Sequence, residues 1–159
     1  MSVDKNIAIL IVETELQACI PLAKKYNWLI SEIDKENLRF TVSMKALDGE
    51  QYHLEIIFDN YREIPLWLEF FDPATGEKGI PRVYPKNNGD SFFHTFPCIC
   101  NPCSRKSYKQ SDPKAPHGDW KWADWQTNSH VSTLLSIDRI LLAIYFRLIN
   151  PDKYVGRMA

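Results

Sequence analysis

Hydrophobic and polar residues alternate most regularly in the second quarter of the chain. Over residues 38–45 every second side chain is apolar, and residues 52–58 repeat this pattern. Successive side chains of a strand point to opposite faces, so the period of two predicts two half-buried strands. Asp48-Gly49 lies between them and is typical of a tight hairpin turn. With short apolar runs at 28–30 and 65–71, the segment predicts a four-stranded antiparallel meander.

A second kind of spacing precedes the strands. Over residues 4–26, apolar side chains recur at three- and four-residue intervals, which predicts an amphipathic helix. Asp4 or Ser2 can accept hydrogen bonds from the free N–H groups of its first turn. Pro21 lacks a backbone N–H, so we expect the helix to end or kink there.

The clearest helical periodicity lies near the other end of the chain. It covers residues 132–149, with Ser132 or Ser136 as the cap and Asn150-Pro151 as the stop. Residues 72–130 between the strands and this helix are rich in glycine and proline and predict a long irregular segment. Such long loops are often functional. The order of helix, meander, loop and helix predicts a single α+β domain over 1–159.

Composition and charge narrow the classes of function. The chain has 159 residues, 45% of them apolar, and 19 basic against 20 acidic side chains. A net charge of -1 provides no global field for nucleic acid or an anionic membrane, so we expect neither as a partner. The longest apolar run, 7–12, is far shorter than the roughly 20 residues of a membrane span. No signal-peptide pattern opens the chain, which indicates a cytoplasmic protein.

The four cysteines are distributed unevenly. Cys19 stands alone on the apolar face of the first predicted helix and is expected to be a small buried hydrophobe. Cys98, Cys100 and Cys103 fall within six residues, whereas a disulfide framework would spread its cysteines. Three thiols in a proline-rich loop are poor core candidates. They therefore suggest either a metal site or a reactive thiol.

Three motifs occur in a recognisable order. Phe58, Tyr61 and Pro65 follow the third predicted strand, Ile99-Cys100 lies in the long loop, and Leu141-Leu142-Ala143-Ile144 leads to Asn150-Pro151. In this order the chain resembles the ubiquitin-conjugating enzymes over about residues 1–151. It departs from them in lacking a His-Pro-Asn tripeptide, of which His94 is the nearest counterpart, and in having a longer segment between Cys100 and Trp125.

The resemblance implies a reaction. Ubiquitin-conjugating enzymes accept the C-terminus of a small protein as a cysteine thioester and pass it to an amine, without a cofactor. It favours Cys100 as the nucleophile, with Cys98 and Cys103 as fallbacks or second thiols. His94 could organise the loop or polarise the acyl oxygen. Asn101, beside Cys100, could donate to the oxyanion or form a turn before Pro102. Divergent bacterial relatives occur beside nucleotide cyclases in antiphage (CBASS) defence operons. The implied partner is therefore a ubiquitin-like protein or a nucleotide cyclase.

The residues leave two other interpretations open. His94, Cys98, Cys100 and Cys103 have spacings that a structural zinc ion could use, with His117 or His130 as a substitute ligand. Such a site would make the protein a zinc-stabilised interaction module. A fold of the conjugating type that has lost catalysis and only binds a partner is the other alternative.

Charged residues near the cysteines allow a further hypothesis. Arg105, Lys106 and Lys109 form a small basic patch after the three thiols. Nearby positive charge lowers the pKa of a thiol, so the patch could activate the nucleophile. The same residues could instead form an ordinary solvated loop surface.

Overall fold

The computed structural model describes residues 2–159, and a four-stranded antiparallel sheet lies at its centre. The strands follow one another in chain order, which confirms the predicted meander and the α+β class. Each pairs with the next along the sequence, so the connections are short. The four strands are β1 (Leu29–Ile30), β2 (Arg39–Lys45), β3 (Gln51–Ile57) and β4 (Trp67–Phe71).

The register of the sheet follows the alternation of the sequence. Phe40 pairs with Ile56 and Val42 with Leu54, and all four side chains are buried. Gly49 forms the turn between β2 and β3 with a φ of 88°, a conformation that costs glycine little. One hydrophobic core combines this face of the sheet with side chains from two helices.

The first helix, α1 (Lys5–Tyr26), begins where its cap predicts. The Asp4 carboxylate accepts hydrogen bonds from the backbone N–H groups of Asn6, at 2.8 Å, and of Ile7, at 3.3 Å. Of the two outcomes expected at Pro21, an end of the helix is wrong, because the helix continues for five more residues. It ends at Asn27, whose φ of 58° takes the chain out of the helical region.

The second helix, α2 (Ile137–Ile149), starts five residues later than its periodicity predicts. Ser132 has a φ of 57° and a ψ of -125°, which no helix accommodates. The side chain of Ser136 bonds to Asp138 and leaves the helix uncapped. Glu15 of α1 accepts the hydrogen bond from the backbone N–H of Ile137 at 2.8 Å, so the two helices are joined at this point.

Two small antiparallel ribbons frame the loop region. β5 (Pro85–Asn87) pairs with β8 (Tyr154–Arg157), a strand beyond α2 that the sequence pattern does not indicate. β6 (Phe93–His94) pairs with β7 (Cys98–Ile99) in a short hairpin. This hairpin contains Cys98 and positions the backbone that leads into Cys100.

The surface of α1 is unusually apolar. Ile7, Leu10 and Ile20 are each more than half exposed, although other side chains of the helix lie in the core. By length and composition alone α1 could cross a membrane, a criterion that core helices of soluble proteins and signal sequences also meet.

Candidate active site

Cys100 follows β7 at the edge of a cavity. Its backbone N–H donates a hydrogen bond to the carbonyl of Phe92 at 2.7 Å, which ties it to the chain before the hairpin. The thiol is half-buried and lines a cavity of about 410 Å³, together with Phe92, Asn101, Leu134 and Arg147 among others. A cavity of this volume lies within the range of ordinary ligand sites. Cys100 is therefore the cysteine that a reactant can approach.

The thiol of Cys100 contacts a histidine from the long loop. Its Sγ lies 3.1 Å from Nε2 of His117, within hydrogen-bond distance. The backbone holds His117 there through two hydrogen bonds: its N–H donates to the carbonyl of Ser107 at 3.1 Å, and its carbonyl accepts from Lys109 at 2.9 Å. A nucleophile beside a base is the arrangement that covalent catalysis uses.

An indole fixes the orientation of this histidine. The ring of Trp120 stacks face to face on the imidazole of His117, with centroids 3.4 Å apart and an angle of 4° between the planes. Trp120 itself packs at 5.7 Å against the buried ring of Tyr108. The stack opposes rotation of the imidazole out of this plane. It therefore helps to hold Nε2 in contact with the sulfur.

Burial sets the protonation of both groups. It raises the pKa of the Cys100 thiol above its ordinary value. It also lowers the pKa of His117, an effect that the charges of His130 and His94 reinforce and that of Asp119 opposes. Near neutral pH the pair is therefore an uncharged thiol beside an uncharged imidazole. The imidazole can accept the thiol proton when the sulfur attacks.

The two neighbouring cysteines are buried. Cys98 and Cys103 have no exposed surface, so the expectation that all three thiols of the loop avoid the core is wrong. Burial raises the pKa of Cys98 to about 12 and raises that of Cys103 further. Neither thiol lines the cavity of Cys100. Cys19 is also buried, as its position on the apolar helix face predicts, and burial raises its pKa to about 12.

Asn101 lies on the cavity wall and organises the loops around it. Its Nδ2 donates to the carbonyl of His130 at 3.2 Å, and its Oδ1 accepts from the backbone N–H of Cys103 at 2.9 Å. Within residues 2–159, the second N–H of Nδ2 has no acceptor. Asn101 therefore links the cysteine loop to the turn before α2 and leaves this donor unpaired by the described residues.

His94 lies elsewhere. Its Nδ1 accepts a hydrogen bond from the backbone N–H of Phe96 at 2.9 Å, which closes the turn between β6 and β7. It lines a separate cavity of about 370 Å³ next to Met158. In this position His94 organises the hairpin and takes no part in the contact with Cys100.

The four residues of the zinc alternative do not form a site. Among residues 2–159, no three His, Cys, Asp or Glu side chains come together as metal ligands. His117, a substitute ligand in that hypothesis, contacts Cys100 alone among the cysteines. The geometry thus brings together a thiol and a base where the sequence suggested a metal centre.

The sequence contained a weak signal for the base. His117 follows Cys100 by 17 residues and lies in a proline-rich loop with no spacing rule that ties it to a cysteine. The nearby tryptophan, Trp120, predicts packing but not its partner. Only the folded loop shows that His117 contacts Cys100 and that Trp120 stacks on His117.

No protein-family model matches this chain, and no curated protein or solved structure does either. The functional argument therefore depends on the geometry around Cys100 and on the order of motifs in the sequence.

Proposed function

We propose that this protein is an acyl transferase of the ubiquitin-conjugating type, which carries the C-terminal acyl group of a partner protein on Cys100. The observation that supports it best is the 3.1 Å contact between the Cys100 thiol and the His117 imidazole at the wall of an open cavity. The α+β layout, with the cysteine in a long loop between the sheet and the last helix, agrees with this proposal.

In the first step, the sulfur of Cys100 attacks the carbonyl carbon of the partner's activated C-terminal acyl group. The thiol proton passes to Nε2 of His117, and a tetrahedral oxyanion forms. Asn101 lines the same cavity, and we propose the N–H that His130 does not use as the donor to that oxyanion. As the leaving group departs it takes the proton back from His117, and the thioester remains on Cys100.

In the second step, an amine attacks the thioester carbonyl. His117 removes a proton from the attacking nitrogen, and an amide bond forms as the Cys100 thiolate leaves. The thiolate then takes the proton from His117, which returns both groups to their uncharged state. Its high pKa favours this return, because a basic thiolate is quickly reprotonated.

The acyl donor must arrive activated. A free carboxylate is not attacked by a thiol, and the sequence has no Gly-x4-Gly-Lys-Ser/Thr loop with which to bind the phosphates of ATP. The donor is therefore a thioester or mixed anhydride made by another protein. The partner we propose is a ubiquitin-like protein or a nucleotide cyclase of an antiphage system.

A model donor tests the proposal without knowledge of the partner. The protein is incubated with a thioester of N-acetyl-glycyl-glycine, and acylated cysteines are identified by intact mass and peptide mapping. We expect one acyl group on Cys100, which hydroxylamine removes and added glycylglycine accepts. Cys100→Ser should give no such labile adduct, whereas Cys103→Ser, which alters a buried thiol, should still be acylated.

Two outcomes of the same experiment would contradict the proposal. Acylation of Cys98 or Cys103 in the folded protein would place the nucleophile elsewhere. Acylation of Cys100 no faster than that of a free cysteine peptide would show that the protein only binds a partner. His117→Asn should slow the acylation by about a hundredfold, which is the low end of the effect of a general base.

A further inference from the structure

Arg147, in the last turn of α2, forms part of the wall of the Cys100 cavity. Its guanidinium lies over the ring of Phe92, with Cζ 3.9 Å from the ring centroid. Phe92 in turn is buried and bonded through its carbonyl to the backbone of Cys100. The same short segment therefore positions both the guanidinium and the nucleophile.

The hydrogen-bonding capacity of Arg147 is largely unused. Nη1 donates to the carbonyl of Ala143 at 3.2 Å, within the same helix. Across residues 2–159, Nε is buried without a hydrogen-bond partner, and Nη2 makes no hydrogen bond either. An arginine presents five N–H donors in a planar fork, and the described residues satisfy only one of them here. Because Nε is buried, the donors of Nη2 are the ones that remain available to a carboxylate.

The charges around Arg147 leave a positive excess. Among the residues that the structure describes, the one ion pair of Arg147 is with Asp90, whose Oδ2 lies 3.7 Å from Nε, too far for a hydrogen bond. The same carboxylate oxygen lies 3.3 Å from Nζ of Lys153. Two cations thus share one anion at the edge of the cavity. A second carboxylate could pair with Arg147 without displacing Asp90 from Lys153.

We infer that this part of the cavity recognises an acidic side chain close to the C-terminus of the acyl donor. The inference rests on the proposed function, which brings the last residues of a protein chain to Cys100. A glutamate or aspartate a few residues before the reacting carbonyl pairs with Nη2 of Arg147. The occupant of the cavity is thus an extended, acidic C-terminal segment.

Disulfide tethering tests this inference independently of acyl transfer. Glycine-rich pentapeptides with a C-terminal cysteamine, activated as a 2-pyridyl disulfide, exchange with Cys100 at a fixed concentration of 2-mercaptoethanol. Each peptide carries one glutamate, at the second, third or fourth residue, and is compared with its glutamine counterpart. Intact-mass spectrometry measures the fraction of protein labelled, and peptide mapping confirms that the label is on Cys100.

We expect the glutamate peptide to be retained about fivefold better than its glutamine counterpart in at least one position, since the ion pair is partly exposed. Arg147→Gln should abolish this preference, and Arg147→Lys should preserve part of it through charge alone. Asp90→Asn should increase the preference, because it removes the competing carboxylate. Arg139→Gln, on the exposed face of the same helix, is the matched control and should change nothing.

Equal retention of the two peptides at every position, or a preference that survives in Arg147→Gln, would overturn the inference. Circular dichroism establishes whether each variant is folded. If Arg147→Gln does not fold, the peptide preferences of Arg147→Lys and Asp90→Asn still test the inference. Because tethering needs only an accessible thiol, a glutamate preference without acylation by the model thioester would refute the enzyme while leaving the acidic subsite in place.

Discussion

The uncharged resting state of Cys100 and His117 determines how the thiol should react with iodoacetamide. The ordinary pKa values of the two groups are 9.0 for the thiol and 6.5 for the imidazole, and they differ by 2.5. Without their mutual attraction, the thiolate–imidazolium form would be present in about one molecule in 300. Burial raises the first pKa and lowers the second, so it makes the ion pair rarer still.

The first expected result follows from this arithmetic, and the second follows from proton transfer to His117 during the attack. The alkylation rate of wild-type Cys100, measured by intact mass between pH 5 and 10, should rise steadily with pH and show no plateau on the acid side. At pH 7, His117→Asn should react about tenfold or more slowly, because the thiol has lost the base that accepts its proton. The two rates should converge above the pKa of the thiol, where thiolate forms without help.

A rate independent of pH between 5 and 8 would refute the reasoning, since it would show a preformed ion pair. Equal rates for wild type and His117→Asn at pH 7 would show that the imidazole has no part in the reaction. His53→Asn is the matched control. His53 lies on β3 and bonds to Ser43, so its loss should leave the alkylation of Cys100 unchanged.

Three further predictions concern the supports of the site. Trp120→Leu should slow alkylation of Cys100 at pH 7 about threefold. Nuclear magnetic resonance should show the pKa of His117 rising toward its ordinary value, because the indole no longer covers the imidazole. An unchanged pKa would show that Trp120 does not shield His117 from water. Glu15→Ala removes an acceptor of three hydrogen bonds at 2.8–3.0 Å, so urea denaturation should show a loss of about 3 kcal/mol in the free energy of unfolding. In the native protein, excess iodoacetamide should modify Cys100 and spare Cys103 until guanidinium unfolds the chain; early loss of the Cys103 thiol would show that this loop opens.

The sheet was predictable because its signals are local. In β2 and β3 alternate side chains are apolar and face the core, and Gly49 supplies the turn between the strands. The start of α2 was not predictable from the sequence. It depends on the backbone conformation of Ser132 and on a hydrogen bond from Ile137 to Glu15, 122 residues away. Periodicity measures which face of a helix is buried and carries no information about such a distant cap.

The same distinction applies to the site. Cys100 could be selected from the sequence because a resemblance and a loop position both favoured it. The contact between His117 and Cys100 could not be predicted in this way. It depends on a backbone pairing between Tyr108 and His117, which brings a distant part of the loop back to the cysteine. Pairings of this kind lack the regular pattern of a strand and are fixed by packing, here by the ring of Trp120.

The positions of the basic residues bear on how Cys100 loses its proton in the proposed reaction. The sequence allowed Arg105 and Lys106 to lower the pKa of Cys100, or to form a solvated surface, but both are buried. Arg105 pairs with Asp59 at 2.7 Å, and Lys106 pairs with Glu69 at 2.8 Å, so their charges stabilise the packing of the loop on the sheet. With its neighbouring cations neutralised, the thiol keeps its proton at neutral pH. Attack on a carbonyl then requires a group that removes the proton at that moment, and the imidazole of His117 is the group in contact with the sulfur.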